Sequence, residues 1–137
     1  ESWSKTDFDR FKTNLNHITS EVQFDVNHLT KIKDLLFSKD KYLLHLMEND
    51  NLMESEHFSQ LVLALFHLYE ELQLRQDLNK LNPNDLAHLT GDLRRTYLLL
   101  SEQWIDYLYH IKESTPYLYS LAIRTNPFDP DARVEIE

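Results

Sequence analysis

The sequence predicts an all-α fold, a helical bundle of three long and two short helices with a long, heptad-patterned helix at its front. Three observations carry that prediction. The chain of 137 residues holds a single glycine, which excludes phosphate-cradling glycine loops and argues against hairpin-rich β folds. Its four prolines stand where helices start or stop. Apolar residues recur at intervals of three and four along most of its length. Helix content is therefore expected above roughly 65%, against a typical third. The length suits one domain, divided into a front helix over 1–37, the rest of the bundle over 38–123 and a tail over 124–137.

The front helix begins at Ser4 or Thr6, with Asp7 and Asp9 in its first turn, where unpaired amide groups favour acids. Its apolar positions are Phe8, Phe11, Leu15, Ile18, Val22, Leu29, Ile32 and Leu36, a seven-residue repeat broken once by Asp25. Asp25 reads as a solvent-exposed gap in that seam or as a polar register pin. Polar flanks (Lys12, Asn14, Thr19, Glu21) make the first half a narrow seam, whereas Val26 and Leu35 widen the second half into a bundle face. Ser38-Lys39-Asp40 breaks the helix, and a short one follows through Met47. Glu48 to Asn51 is a polar turn. The next helix starts near Asn51 or Ser55, runs to about Arg75 and is apolar around much of its circumference, so it belongs in the middle. Asn82-Pro83-Asn84-Asp85 is a helix start with cap, first-position proline and first-turn acid. The helix it opens carries Leu86, Leu89, Leu93, Tyr97, Leu100, Trp104, Leu108 and Ile111. Gly91 lies inside it, which suggests close packing of a neighbour. Ser114-Thr115-Pro116 stops it and starts a short helix from Tyr117 to about Ile123. Asn126-Pro127 and Asp129-Pro130 end regular structure, with Phe128 expected to pack back as a plug and Val134 to Glu137 to fray. No internal repeat is evident.

Composition narrows the function. Fourteen basic residues against twenty-three acidic ones give a net charge of −9, which argues against nucleic acid or an anionic lipid surface as partner. The absence of cysteine removes disulfides, thiolate zinc and a cysteine nucleophile, and fits a reducing compartment. Apolar runs such as Leu61 to Phe66 are far shorter than a membrane span. The chain opens with Glu1 and shows no signal-peptide pattern, which we read as a segment of something longer.

Seven histidines make a metal site the first constellation to weigh. Glu54-x-x-His57 and Asp85-x-x-His88 each place an acid and an imidazole on one helical face, and Glu70, Glu71 and Glu102 could complete a carboxylate-bridged centre. Both pairs, however, stand at helix starts, where acids occur for their own reasons. His67, followed by Glu70 and Glu71, lies on the apolar central helix and reads as a core histidine satisfied by a neighbour. The stretch His110 to Pro116 has the wrong residue after its histidine for a phosphoacceptor helix, and its Thr115-Pro116 is displaced by two positions, about 200° of helix. Late tyrosines and Trp104 read as packing aromatics rather than base-stacking platforms. No catalytic, cofactor or metal residue is assigned, and no cofactor is expected.

The stretch from His110 through Pro116 and Asn126-Pro127 to Pro130, with Leu52 to Phe58 and Phe66 to Leu72, resembles the carboxyl-terminal part of a bacterial and archaeal helical domain. That domain is associated with the cytoplasmic side of ion-channel-family membrane proteins. The resemblance covers roughly residues 45–135 and implies a soluble module following a membrane region. The expectation is thus a non-enzymatic cytoplasmic interaction or regulatory module that dimerises through Phe8, Phe11, Leu15, Ile18 and Val22. The competing reading is a metal- or cofactor-binding bundle with a redox or sensor role; a third is an adaptor with a groove for a partner helix.

Overall fold

The computed structural model describes residues 3–136. Helix makes up 78% of the structure, and no strand occurs among the described residues. The helices are α1 (Lys5–Ser20), α2 (Val26–Ser38), α3 (Asp40–Glu48), α4 (Asp50–Met53), α5 (Glu56–Gln73), α6 (Pro83–Ser114) and α7 (Pro116–Arg124), with a 3₁₀ turn at Leu78–Lys80. The all-α expectation holds, but the helices are more numerous and shorter at the front. Glu1, Ser2 and Glu137, parts of the expected front segment and tail, lie outside the described residues. The chain divides into two compact units, one from Leu15 to Ser101, the other comprising residues up to Asn14 and from Glu102 onward.

The expected front helix over 1–37 is two helices. Asp25 is solvent-exposed, as the gap reading has it and the register pin does not. It is the N-cap of α2, accepting from the His28 amide at 3.1 Å while the Asp25 amide donates to His28 Nδ1 at 3.1 Å. This is a capping box with histidine in the position usually held by Glu or Gln. The His28 amide holds the Asp25 carboxyl below its ordinary value. Arg94 completes the break by donating to the Val22 carbonyl at 3.0 Å and lying over the Phe24 ring at 5.9 Å. A heptad continued through 21–25 would bury the carboxylate or lose the cap, and the cap wins.

The unit from Leu15 to Ser101 has a core of leucines: Leu29, Leu36, Leu43, Leu68, Leu72, Leu78, Leu89 and Leu93. Local chemistry fixes the ends of the helices around it. Asn49 caps α4, Ser55 caps α5, and the Asn82 side chain accepts from the Asp85 amide at the start of α6. The polar turn expected at Glu48 to Asn51 is thus partly helical. Gly91 is exposed, and an added Cβ would meet nothing within 4 Å, so it serves no close packing.

The other unit buries Ile105, Leu108 and Ile111 with Phe8 and Tyr119, and adds a set of ring contacts. Trp3 packs on Phe8 and Phe11 at centroid distances of 5.3 and 5.4 Å, and Phe8 meets Tyr109 edge-on at 5.5 Å. The Lys112 ammonium donates to the Trp3 carbonyl and lies over the Phe8 ring. Phe128 returns to within 6.3 Å of the Trp104 ring but stays 36% exposed, a weaker plug than expected. Of the expected dimer seam, Phe8 and Leu15 are buried within the chain and Phe11 and Val22 half-buried, while Ile18 is 43% exposed.

Candidate metal centre

His67 and Glu71 stand four residues apart on α5, as do His88 and Asp92 on α6, so each pair shares one helical face. Each of the four precedes a buried leucine: Leu68, Leu72, Leu89 and Leu93. On a helix the next residue is turned by about 100°. The leucines therefore form the core stripe, and the ligand stripe runs beside it in a fixed phase. This places two imidazoles and two carboxylates together at the edge of the leucine core.

The four side chains close a ring in which nitrogens and oxygens alternate. His67 Nε2 lies 3.7 Å from Glu71 Oε1 and 3.3 Å from Asp92 Oδ2; His88 Nε2 lies 3.4 Å from each of the same oxygens. All four atoms fall within 4.8 Å of one another. With bonds of about 2.0–2.1 Å an ion sets neighbouring ligand atoms about 2.8–3.4 Å apart at octahedral or tetrahedral angles. The four nitrogen–oxygen edges come close to the spacing of such a coordination shell, and a shell of more than four positions would keep room for a further ligand. Imidazole with carboxylate suits zinc, iron(II), manganese or cobalt better than calcium or magnesium.

Two further observations fit a metal. Asp92 has only 13% of its side chain exposed, and its buried Oδ2 has no hydrogen-bond partner. Arg75 orients the other carboxylate, with Nη1 donating to Glu71 Oε2 at 2.5 Å and leaving Oε1 toward the imidazoles. The same guanidinium grips Asp85 through Nε at 2.9 Å and Nη2 at 2.6 Å. Hydrogen bonds from Arg75 are the main reason that the carboxyls of both Glu71 and Asp85 stay below their ordinary range. Partners of this kind, one layer out, orient metal ligands and tune them.

The sequence reading assigned no metal ligands, and its two acid–histidine pairs do not join each other. Glu54 ends α4 and His57 is exposed in the first turn of α5; neither belongs to the cluster, nor do Glu70 and Glu102. Asp85 pairs with Arg75 instead of acting beside His88 as a ligand. His67 is partly buried, with 45% of its side chain exposed, and the neighbours at its Nε2 are Asp92 and Glu71. The missed signal is a six-residue repeat: His67-Leu68-Tyr69-Glu70-Glu71-Leu72 returns as His88-Leu89-Thr90-Gly91-Asp92-Leu93, with histidine, acid and two leucines in the same places.

Residues 1–124 match the family described as "Uncharacterized protein MJ1433, C-terminal helical domain". The chain belongs to that family. It is 43% identical over 129 residues to "Uncharacterized protein MJ1433" of Methanocaldococcus jannaschii, covering 94% of this chain and 52% of the relative. The chain thus spans about half the length of the curated relative it matches. No solved structure matches it. The resemblance to an archaeal helical domain is borne out, while neither description mentions an ion channel. All four candidate ligands lie inside the matched segment. Among the described residues, no helix is long and apolar enough to cross a membrane.

Proposed function

We propose that this domain is a metal-binding regulatory module in which one divalent transition ion, held by His67, Glu71, His88 and Asp92, couples α5 to α6. The observation that carries the reading is Asp92 Oδ2, a buried oxygen that meets two imidazole nitrogens at 3.3 and 3.4 Å and hydrogen-bonds to neither. A buried carboxylate oxygen without a donor is costly unless positive charge reaches it. An ion inside the ring supplies that charge and uses both imidazoles in their neutral form. Because the ligands come from two helices, loading the site changes how firmly those helices are joined, a regulatory rather than an enzymatic output. Calorimetric titration with zinc and manganese(II), with metal analysis, should find one ion per chain. His67→Asn with His88→Asn should abolish binding while leaving the helical spectrum intact. Wild-type protein that takes up no ion, or a double variant that binds like wild type, overturns the reading.

We also propose that the module works on the cytoplasmic side of a longer, membrane-associated polypeptide. The cysteine-free composition fits the cytoplasmic setting and the greater length of the relative fits a longer polypeptide, while the membrane association carries over only what the sequence resemblance implies. A parent gene without hydrophobic spans would remove the membrane part. Self-association at the front is proposed around the exposed Ile18. A monomer at high concentration in light scattering would end it.

A further inference from the structure

A pocket of about 380 Å³ opens beside the cluster, lined by Gln60, Leu63, Ala64, His67, Arg95 and Leu99. His67 belongs to both pocket and cluster. The volume falls in the range of small-ligand sites, and the lining pairs an apolar wall with a few polar groups, as such sites do. Arg95 holds Asp92 Oδ1 only at 3.5 Å and is 56% exposed, so its planar fork remains able to take a carboxylate through two bonds.

Charge decides when an anion would enter. The carboxylates of Glu71, Asp85 and Asp92 face the guanidiniums of Arg75 and Arg95, so the empty cluster carries one excess negative charge. A dication turns that into one excess positive charge, which a monoanion neutralises. We infer that the metal-loaded site takes a small monocarboxylate with a short aliphatic tail, its carboxylate shared between the ion and Arg95 and its tail against Leu63, Ala64 and Leu99. The ligand and the ion then bind together, each strengthening the other.

The inference rests on the metal reading, and one experiment separates the two failures. Cobalt(II) is titrated first and followed by visible absorption; acetate, butanoate and butanamide are then added to loaded and metal-free protein. Butanoate should shift the cobalt bands saturably and more tightly than acetate, butanamide should have no effect, and butanoate should leave the NMR spectrum of the metal-free protein unchanged. R95Q should still bind cobalt, and at least as tightly as wild type because a positive charge beside Asp92 is gone, yet bind butanoate about ten-fold more weakly or worse. If cobalt does not bind, both readings fall. If cobalt binds but butanoate leaves its bands unchanged, or R95Q binds butanoate as wild type does, only the ligand inference falls.

Discussion

The two compact units fill their interiors by different means. From Leu15 to Ser101 the buried cluster consists of leucines, with ring pairs such as Phe24–Tyr97 and Phe37–Tyr69 at its margin. In the other unit Ile105, Leu108 and Ile111 share the interior with Phe8, and Trp3, Phe8, Phe11 and Tyr109 meet ring to ring. Leucines stacked at four-residue intervals make no directional demand, so they hold a helix in register and leave its neighbouring stripe for polar groups in a fixed phase. Rings meet at chosen angles and accept cations on their faces, as Phe8 accepts Lys112, which suits them to pinning chain ends. Among the described residues the cluster of potential ligands occurs beside the leucines. A site that must hold four side chains at set distances needs the stiffer, periodic scaffold.

The sharpest way to break that comparison is deletion from each interior. Leu29, fully buried, should cost about 3–4 kcal/mol when replaced by alanine, whereas Phe128→Ala in the other unit should cost about 1 kcal/mol because the side chain is already partly in water. Equal losses in urea unfolding would remove the distinction. Metal should come next in size. At a hundred times its dissociation constant a bound ion adds about 2.7 kcal/mol to unfolding, and the gain should vanish in the double histidine variant. Gly91→Ala should raise stability by about 0.5–1 kcal/mol, since nothing stands in the way of the new methyl group, and should leave metal uptake unchanged. The smallest effect is on the slope of acid unfolding. Glu71 and Asp85 have lowered folded-state values, so their contribution is complete above about pH 5 and is lost as pH falls through those lowered values. Arg75→Gln should therefore be less stable at pH 7 and lose less on acidification, measured by thermal melts from neutrality downward.

What could be read in the sequence was local. Ser55, Asn82-Pro83 and Thr115-Pro116 announce α5, α6 and α7 because caps and prolines act within a turn of themselves. The break after Ser20 was legible only in part: Asp25 with His28 is a local cap signal, but the heptad masks it. Val22 and Leu29 keep the heptad spacing across it, and the group that captures the Val22 carbonyl is Arg94, 72 residues away. The cluster was half visible. Each histidine announces a face, but the spacing that joins the ligands is four residues, as from His67 to Glu71, and not the three of Asp85-x-x-His88. Nothing in periodicity says that two such faces meet. Only the repeat of histidine, acid and leucine in consecutive helices could have pointed to it.

The Arg75–Asp85 pair has a direction as well as a strength. Arg75 stands just beyond the last turn of α5, where carbonyl groups accumulate partial negative charge, and Lys33 also donates there, to the Arg75 carbonyl at 2.6 Å. Asp85 stands in the first turn of α6, where amide groups leave partial positive charge. Each partner is therefore stabilised by the macrodipole of its own helix before the two meet. Exchanging them, Arg75→Asp with Asp85→Arg, would preserve the ion pair while opposing both helix dipoles, so the connection from α5 to α6 has a polarity that a simple charge swap cannot restore.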